Sequence, residues 1–143
     1  MNELAAADPD DRAIDALTEA ECRRLLTTQT LGRVGITSGG LPCILPVCYL
    51  YDDGAIVFRT GTGTKLRAAV SGDVLAFEVD AYDPVAGRGW SVLVLGRASV
   101  VTTEHEHPGL PTLDGPQPTG ARNHYVRLYC ELVTGRAIET ARF

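Results

Sequence analysis

Residues 58–67 (FRTGTGTKLR) bring together in one short segment the residue types that bind a phosphate group. The segment leaves a predicted strand, passes through a turn of Gly and Thr, and opens a predicted helix at Lys65. A helix start offers free backbone N–H groups and a favourable dipole, and glycine lets a ligand approach the backbone closely. Arg59 and Lys65 add positive charge, while Thr60 and Thr64 add hydroxyl donors. The segment therefore predicts a site for one phosphate.

This segment does not match the common nucleotide-binding motifs. The GxxxxGK[ST] pattern of a P-loop is absent, and Leu66 stands where the dinucleotide-binding pattern GxGxxG has its third glycine. An ordinary polar turn with solvated charges is the alternative interpretation, and the residue types alone do not decide between the two.

A second segment, residues 89–96 (GWSVLVLG), places an aromatic ring and a hydroxyl group at adjacent positions of a predicted strand. Trp90 has two interpretations, as a core residue at the start of a strand or as a ligand contact. Side chains alternate along a strand, so Ser91 points to the opposite face, where it can donate a hydrogen bond to a ligand.

The other reactive residue types form no recognisable catalytic or metal site. His105 and His107 flank Glu106, but no third ligand follows at a suitable spacing, so we expect no metal there. His124 has no evident base or nucleophile as a partner, and no nucleophile elbow is present. The four cysteines include no CxxC pair, and we expect them to be free, mostly buried thiols.

Short strands separated by glycine turns position these segments. Thr18 and Glu21 form a capping box that predicts a helix ending near Thr28. A second short helix is predicted over 64–70, and a turn at Thr134-Gly135 is predicted to separate the last two strands. The strands are predicted at residues 31–38, 42–52, 55–60, 74–82, 89–103, 125–133 and 136–140, with a loop at 104–123.

This order of elements predicts a mainly β fold, an antiparallel β-barrel of six or so strands with small peripheral helices. Parallel α/β architecture is excluded because crossover helices are missing. Trp90, Val92 and Val94 share one face of their strand, while Leu93 and Leu95 occupy the other. Apolar residues on both faces predict a strand that lies in the barrel and also in an interface. We expect one domain over 15–143 after a flexible arm at 1–14.

Composition narrows the classes of partner. The chain has 143 residues, is 45% hydrophobic and has a formal net charge of −5. A diffuse basic surface for nucleic acid is thus excluded, and no run approaches the ~18 apolar residues of a membrane span. The acidic start lacks the order of a signal peptide, so the expected location is the cytoplasm.

The order and spacing of several motifs resemble one known family. They are a capped helix, then PCILPVCY at 42–49, IVFRTGTGTKL at 56–66, FEVD at 77–80 and GWSVLVLGRA at 89–98. This arrangement is similar to the pyridoxamine 5′-phosphate oxidase-like flavoproteins, the FMN-binding split β-barrel superfamily, and most of all to its short, nitroimidazole-resistance-type branch. The resemblance covers about residues 18–140.

The resemblance implies a six-stranded split barrel that forms a homodimer with two FMN sites across the interface. The resemblance assigns the phosphate and ribityl chain of FMN to Arg59, Thr60, Thr64 and Lys65. It assigns the backbone that runs along the isoalloxazine to Pro46, Val47, Cys48 and Tyr49. It assigns a further FMN contact, in many relatives from the other subunit, to Trp90 and Ser91.

The resemblance also implies an activity, with departures. Arg59 stands where the vitamin-oxidising members tend to have an aromatic residue, and the chain stops before their C-terminal aromatic and Arg segment, so pyridoxamine-phosphate oxidation is not expected. We expect instead an FMN-dependent oxidoreductase that moves electrons from a reduced nicotinamide to a small acceptor. The alternatives are a non-catalytic flavin-binding or flavin-sensing protein, and a split barrel that binds deazaflavin or haem, the latter with His124 or a loop histidine as axial ligand.

Overall fold

A computed structural model describes residues 15–60, 67–69, 71–101 and 124–140. The elements whose bounds lie in these ranges are one helix and seven strands, and residues 67–69 are also helical. In chain order they are α1 (Glu19–Leu26), β1 (Leu31–Ser38), β2 (Leu41–Asp52), β3 (Ala55–Thr60), β4 (Val74–Asp83), β5 (Arg88–Val101), β6 (His124–Tyr129) and β7 (Leu132–Glu139).

Six of these strands close into an antiparallel barrel, and β7 is added outside it. Around the barrel the order is β1, β2, β3, β6, β5 and β4, with β4 pairing back onto β1. The two longest strands join the two halves of the barrel, since β2 pairs first with β1 and then with β3, and β5 pairs first with β4 and then with β6. The predicted mainly β, six-stranded barrel is confirmed, and β7, paired with β5, is an extra strand.

Alternation along the strands decides which side chains fill the barrel. In β4, Leu75, Phe77 and Val79 are at most 1% exposed and belong to the core, while the residues between them are half-buried and face outwards. Inside, the rings of Tyr49 and Phe77 meet edge to face with their centroids 4.7 Å apart. The side of each strand turned away from this core is called the outer face below.

The helix covers one side of the core. The Thr18 hydroxyl accepts a hydrogen bond from the Glu21 backbone N–H at 3.2 Å, which confirms the predicted cap. Cys22, Leu25 and Leu26 are buried beneath the helix, which ends at Leu26, close to the predicted position.

The predicted turn at Thr134-Gly135 is wrong. The chain breaks earlier, between the end of β6 at Tyr129 and the start of β7 at Leu132, and Gly135 lies inside β7. A Cβ atom at Gly135 would lie 2.5 Å from the Cys22 Sγ and 3.0 Å from the Ser91 carbonyl oxygen. Glycine is present because α1 and β5 pack closely against this strand, not because the backbone turns.

The segment before α1 covers the outer edge of β7. The Leu17 N–H donates to the Gly135 carbonyl at 2.9 Å, the Ala137 N–H donates to the Asp15 carbonyl at 2.6 Å, and Ala16 forms a bridge with Arg136. The edge strand thereby gains backbone partners on its second side.

Several expectations concern residues outside the described ranges. They are the arm at 1–14, the whole loop at 104–123 with His105 and His107, and all of the helix predicted at 64–70 except residues 67–69, which are helical. All four cysteines lie in described ranges and are free thiols. Within those ranges no helix has the length and apolar character needed to cross a membrane.

Candidate functional site

Arg59 lies on the outer face near the end of β3. Its backbone partner on β6 is Tyr125, and the guanidinium carbon sits 5.7 Å from the centroid of the Tyr125 ring. Val57, two residues earlier on the same face, is fully buried, and Tyr125 is only 3% exposed. This packing holds a planar cation at the point where the chain leaves β3 for the Gly/Thr segment, and a guanidinium suits a phosphate oxygen pair.

The other predicted phosphate ligands are placed differently. Thr60 follows Arg59, so its side chain turns to the interior of the barrel, where it is 2% exposed. Its backbone pairs with His124 of β6. The hydroxyl group of Thr60 therefore does not face the outer side of β3. Thr64 and Lys65 lie outside the described residues.

The predicted cofactor strand, residues 46–49 of β2, divides its side chains between the two faces. Val47 and Tyr49 are each 2% exposed and point into the core. The Tyr49 hydroxyl donates to the Leu26 carbonyl at 2.8 Å, and burial raises the pKa of Tyr49 to about 12, so it stays neutral. Pro46 is exposed and Cys48 is half-buried on the outer face, where a ligand lying along the strand would meet them.

Trp90 and Ser91 also separate onto opposite faces. Trp90 packs against the barrel core and is half-buried, which supports the interpretation as a core residue. Ser91 is half-buried on the outer face, paired across the sheet with Asp80 of β4 and Arg136 of β7. Of the two, only Ser91 presents its side chain to a ligand on the outer face.

Pro46 and Ser91 lie on one continuous outer face. Their strands, β2 and β5, are separated by β1 and β4 in this half of the barrel. Three strand spacings of about 4.8 Å put the two strands about 14 Å apart. A flat ligand contacted by both strands would therefore lie across β1 and β4.

Those two middle strands present a charged cluster that the sequence analysis did not single out. The Arg33 Nη1 atom of β1 lies 3.5 Å from the Glu78 Oε1 atom and 3.9 Å from the Asp80 Oδ2 atom, both on β4. We call these three residues the charged cluster. Glu78 and Asp80 were recognisable as outward-facing in the alternation of β4, but Arg33 joins them only through the strand register.

Glu78 is the perturbed group of the charged cluster. Burial raises the pKa of its carboxyl group to about 7, and a hydrogen bond with Asp80 and the negative charge of Asp80 act in the same direction. The positive charge of Arg33 opposes them. Glu78 therefore gains or loses a proton near neutral pH, which an ordinary surface glutamate does not do.

The described residues contain no group of three or more side chains that could hold a metal ion. The outer face offers a guanidinium packed on Tyr125 near the end of β3, outward-facing side chains on β2, a hydroxyl group on β5 and a titratable carboxyl group between them. Such a face can bind a flat ligand that carries a phosphate.

Comparisons with known proteins point to one family. The sequence matches the profile of the pyridoxamine 5′-phosphate oxidase family over residues 18–137. It is 35% identical over 135 residues to the uncharacterized protein Rv0080 of Mycobacterium tuberculosis, with 91% of this chain and 89% of that protein covered.

Solved structures support the same family and fold. The FAD binding protein from Mycobacterium smegmatis is 32% identical, covers 90% of this chain and 100% of its own, and gives a TM-score of 0.69. A FAD-binding protein from Mesorhizobium loti covers 90% of this chain and 100% of its own with a TM-score of 0.73, but at 21% identity it supports the fold alone.

Proposed function

Because the chain belongs to the pyridoxamine 5′-phosphate oxidase family, we propose that it binds a flavin nucleotide, with the phosphate near the end of β3 and the ring along the outer face. The observation that carries this proposal is that the guanidinium of Arg59 packs over the Tyr125 ring immediately before the Gly/Thr segment. The resemblance indicates FMN, and the name of the 32% identical relative indicates FAD. Both nucleotides contain the same ring and at least one phosphate.

The residues present fit the phosphate end of such a ligand. Arg59 supplies a fixed positive charge, and its stacking on Tyr125 reduces the side-chain entropy lost when it binds. Thr64 and Lys65 follow within the segment whose composition predicted a phosphate site. In a protein with a formal net charge of −5, such local cations are needed to attract an anion.

The outer face fits the ring end. Pro46 and Cys48 present a mostly apolar surface on β2, and Ser91 offers a hydroxyl donor on β5. A bound flavin supplies the capacity to accept and pass on two electrons, and the protein supplies binding, orientation and exclusion of water. We propose electron transfer from a reduced nicotinamide to a small acceptor as the activity.

We further propose that the working unit is a homodimer with the ligand between two outer faces. Apolar side chains stand exposed on this part of the barrel, among them Ile44 at 75%, Leu31 at 49% and Leu93 at 37%. A single open face leaves a ring in water on one side, whereas a second copy would cover it.

Absorption spectra and titrations test the cofactor. We expect purified protein to bind FMN, FAD or both with micromolar or better affinity, and to show flavin absorption. A haem Soret band, a deazaflavin spectrum, or failure to bind either nucleotide would contradict the proposal.

Charge-removing variants test the phosphate position. Arg59→Ala is expected to weaken FMN binding by ~1.5–3 kcal/mol, the worth of a charge-assisted hydrogen bond, and Lys65→Ala by a similar amount. Riboflavin, which has no phosphate, should bind both variants as it binds the wild type. Arg97→Ala, at an exposed position of β5, is the matched control. An unchanged dissociation constant for FMN would remove the tested residue from the site.

Steady-state oxidation of NADH and NADPH with quinones and nitro compounds tests the activity. Turnover with any acceptor supports an oxidoreductase. Flavin binding without turnover across the panel would favour a non-catalytic flavin-binding protein.

A further inference from the structure

The strand register places the charged cluster between the two strands proposed to contact the ring. Arg33 is the direct backbone partner of Pro46 on one side and of Glu78 on the other. Asp80 is the direct partner of Ser91. Directly paired residues in an antiparallel sheet have their side chains on the same face, so all five lie on the outer face. A ring that spans β2 and β5 must cross this cluster.

The nearest charged neighbours of Glu78 are one carboxylate and one guanidinium. Asp80 lies beside it on β4, and Arg33 lies opposite on β1. From β5 the partner of Glu78 is Leu93, which does not titrate. Further titratable or charged side chains described on the outer face are Cys48 of β2 and Arg136 of β7, Tyr82 of β4 and Arg97 of β5, and Arg59 and Tyr125 on β3 and β6.

We propose that Glu78 binds the ring as a neutral carboxylic acid, donating a hydrogen bond from its O–H to an oxygen or nitrogen on the edge of the flavin. This inference rests on the proposed function and adds a ligand-contacting residue that also ties binding to pH. Asp80 and Arg33 are positioning residues, because they act through the protonation of Glu78.

Burial of Glu78 by the ligand favours the protonated form of its carboxyl group. The side chain of Glu78 is 36% exposed without a ligand, so a ring whose edge meets this carboxyl group would displace water that still contacts it. Desolvation favours the neutral form of a carboxyl group. Burial already raises the pKa of Glu78 to about 7 in the uncovered protein. Above that pH, binding therefore requires uptake of a proton from solvent by the carboxylate of Glu78, and no other bond is made or broken.

The pH dependence of affinity tests this inference without measuring activity. We expect the dissociation constants of FAD and riboflavin, followed by flavin fluorescence, to rise about 15-fold between pH 7 and pH 8.5, as linkage to one proton requires. These ligands are chosen because the phosphate of FMN itself titrates near pH 6. Calorimetry of FAD binding at pH 8 in two buffers of different ionisation enthalpy should show uptake of close to one proton.

We expect a different pH dependence of flavin affinity for each of three variants. Glu78→Gln keeps a neutral hydrogen-bond donor, so its affinity should be independent of pH across this range. Asp80→Asn removes a charge that raises the pKa of Glu78, so the loss of affinity should begin at lower pH. Arg33→Gln removes a charge that lowers this pKa, so the loss should begin at higher pH. Glu139→Gln, an exposed glutamate of β7 near Arg88, should keep the wild-type profile.

The outcomes separate this inference from the proposed function. If neither FAD nor FMN binds at any pH, both fail. If flavin binds with an affinity that does not change with pH, or if Glu78→Gln retains the wild-type profile, only the role of Glu78 is overturned. Opposite shifts in Asp80→Asn and Arg33→Gln support the role even if Glu78→Gln does not fold, and shifts in the same direction refute it.

Discussion

Arg59 and Thr60 are neighbours in the sequence, but the pleat of β3 places their side chains on opposite faces of the strand. The guanidinium of Arg59 packs over Tyr125 on the outer face, while Thr60 is 2% exposed in the interior. The same alternation sends Cys48 outwards and Tyr49 inwards on β2. At both places a motif that looks continuous in sequence can offer only alternate side chains to a ligand on the outer face, and the other side chains pack in the core.

The raised pKa of Glu78 also predicts how stability changes with pH. The folded protein binds this proton more tightly than the unfolded chain, whose glutamate has its ordinary pKa of 4.5. The stabilising contribution is therefore complete below pH 4.5 and is lost as the pH rises to about 7. With a side chain 36% exposed, solvent screening reduces the contribution to about 1 kcal/mol.

Urea unfolding of the ligand-free protein at pH 5 and pH 7.5 measures this effect. Glu78→Gln should lose about 1 kcal/mol less stability than the wild type between the two pH values. Glu139→Gln is again the matched control and should follow the wild type. Parallel changes in the wild type and Glu78→Gln would show that the carboxyl group of Glu78 does not hold this proton in the folded state.

At the scale of elements, β5 joins the two halves of the barrel, and Gly96 lies where it passes from one to the other. The residues of β5 pair with β7 as far as Leu95 and with β4 as far as Arg97, and from Ala98 onwards they pair with β6. A Cβ atom at Gly96 would collide with the carbonyl oxygen of Tyr129. The close approach of two backbones, rather than a turn, requires glycine here.

Gly96→Ala should therefore destabilise the protein by about 3 kcal/mol or more, because backbone atoms must move apart to relieve the overlap. Gly35→Ala is the matched control, a glycine in β1 whose added Cβ would meet the Cβ of Ala76 at 3.3 Å. That change should stay within about 1 kcal/mol, because strand propensity offsets the mild crowding. Equal midpoints of thermal unfolding for the two variants would disprove the close approach at Gly96.

Local signals predicted most of the elements, and non-local contacts explain what they missed. Gly39 and Gly40 at one hairpin, and Asp53 and Gly54 at the next, adopt the positive φ angles that their residue types favour, so both turns were predictable. The sequence predicts a turn at Gly135, because the pattern of a single strand does not reveal that Cys22 lies against this glycine.

The candidate site likewise has one part that local signals predict and another part that depends on contacts between distant residues. Residue types and a family resemblance predict the phosphate segment and Ser91 as ligand contacts, and these assignments stay predictions. The charged cluster was not predicted, since Arg33 and Glu78 are 45 positions apart and meet only in the register of β1 with β4. Nothing local to Arg33 distinguishes it from a solvated surface arginine.

For the whole molecule, the proposed homodimer makes oligomeric state and flavin affinity depend on each other. We expect sedimentation at twice the chain mass of 15.3 kDa. Ile44→Glu should shift the protein to monomer, because an interface would bury an unpaired carboxylate, and should weaken flavin binding by about tenfold or more.

Val85→Glu provides the matched control for that variant. Val85 is 91% exposed in the turn between β4 and β5, so its replacement should change neither mass nor affinity. A monomeric wild type that binds flavin tightly would refute the proposed dimer, and a dimeric Ile44→Glu would place the contact elsewhere.

The short segment at residues 15–17 that lies along β7 has a consequence for the handling of the protein. Its hydrogen bonds to Gly135 and Ala137 occupy backbone groups that would otherwise be open to another strand. A protease that trims the chain past Leu17 would leave the barrel closed but expose this edge. Samples clipped in this way should form aggregates or swapped assemblies during storage, while intact protein remains dispersed.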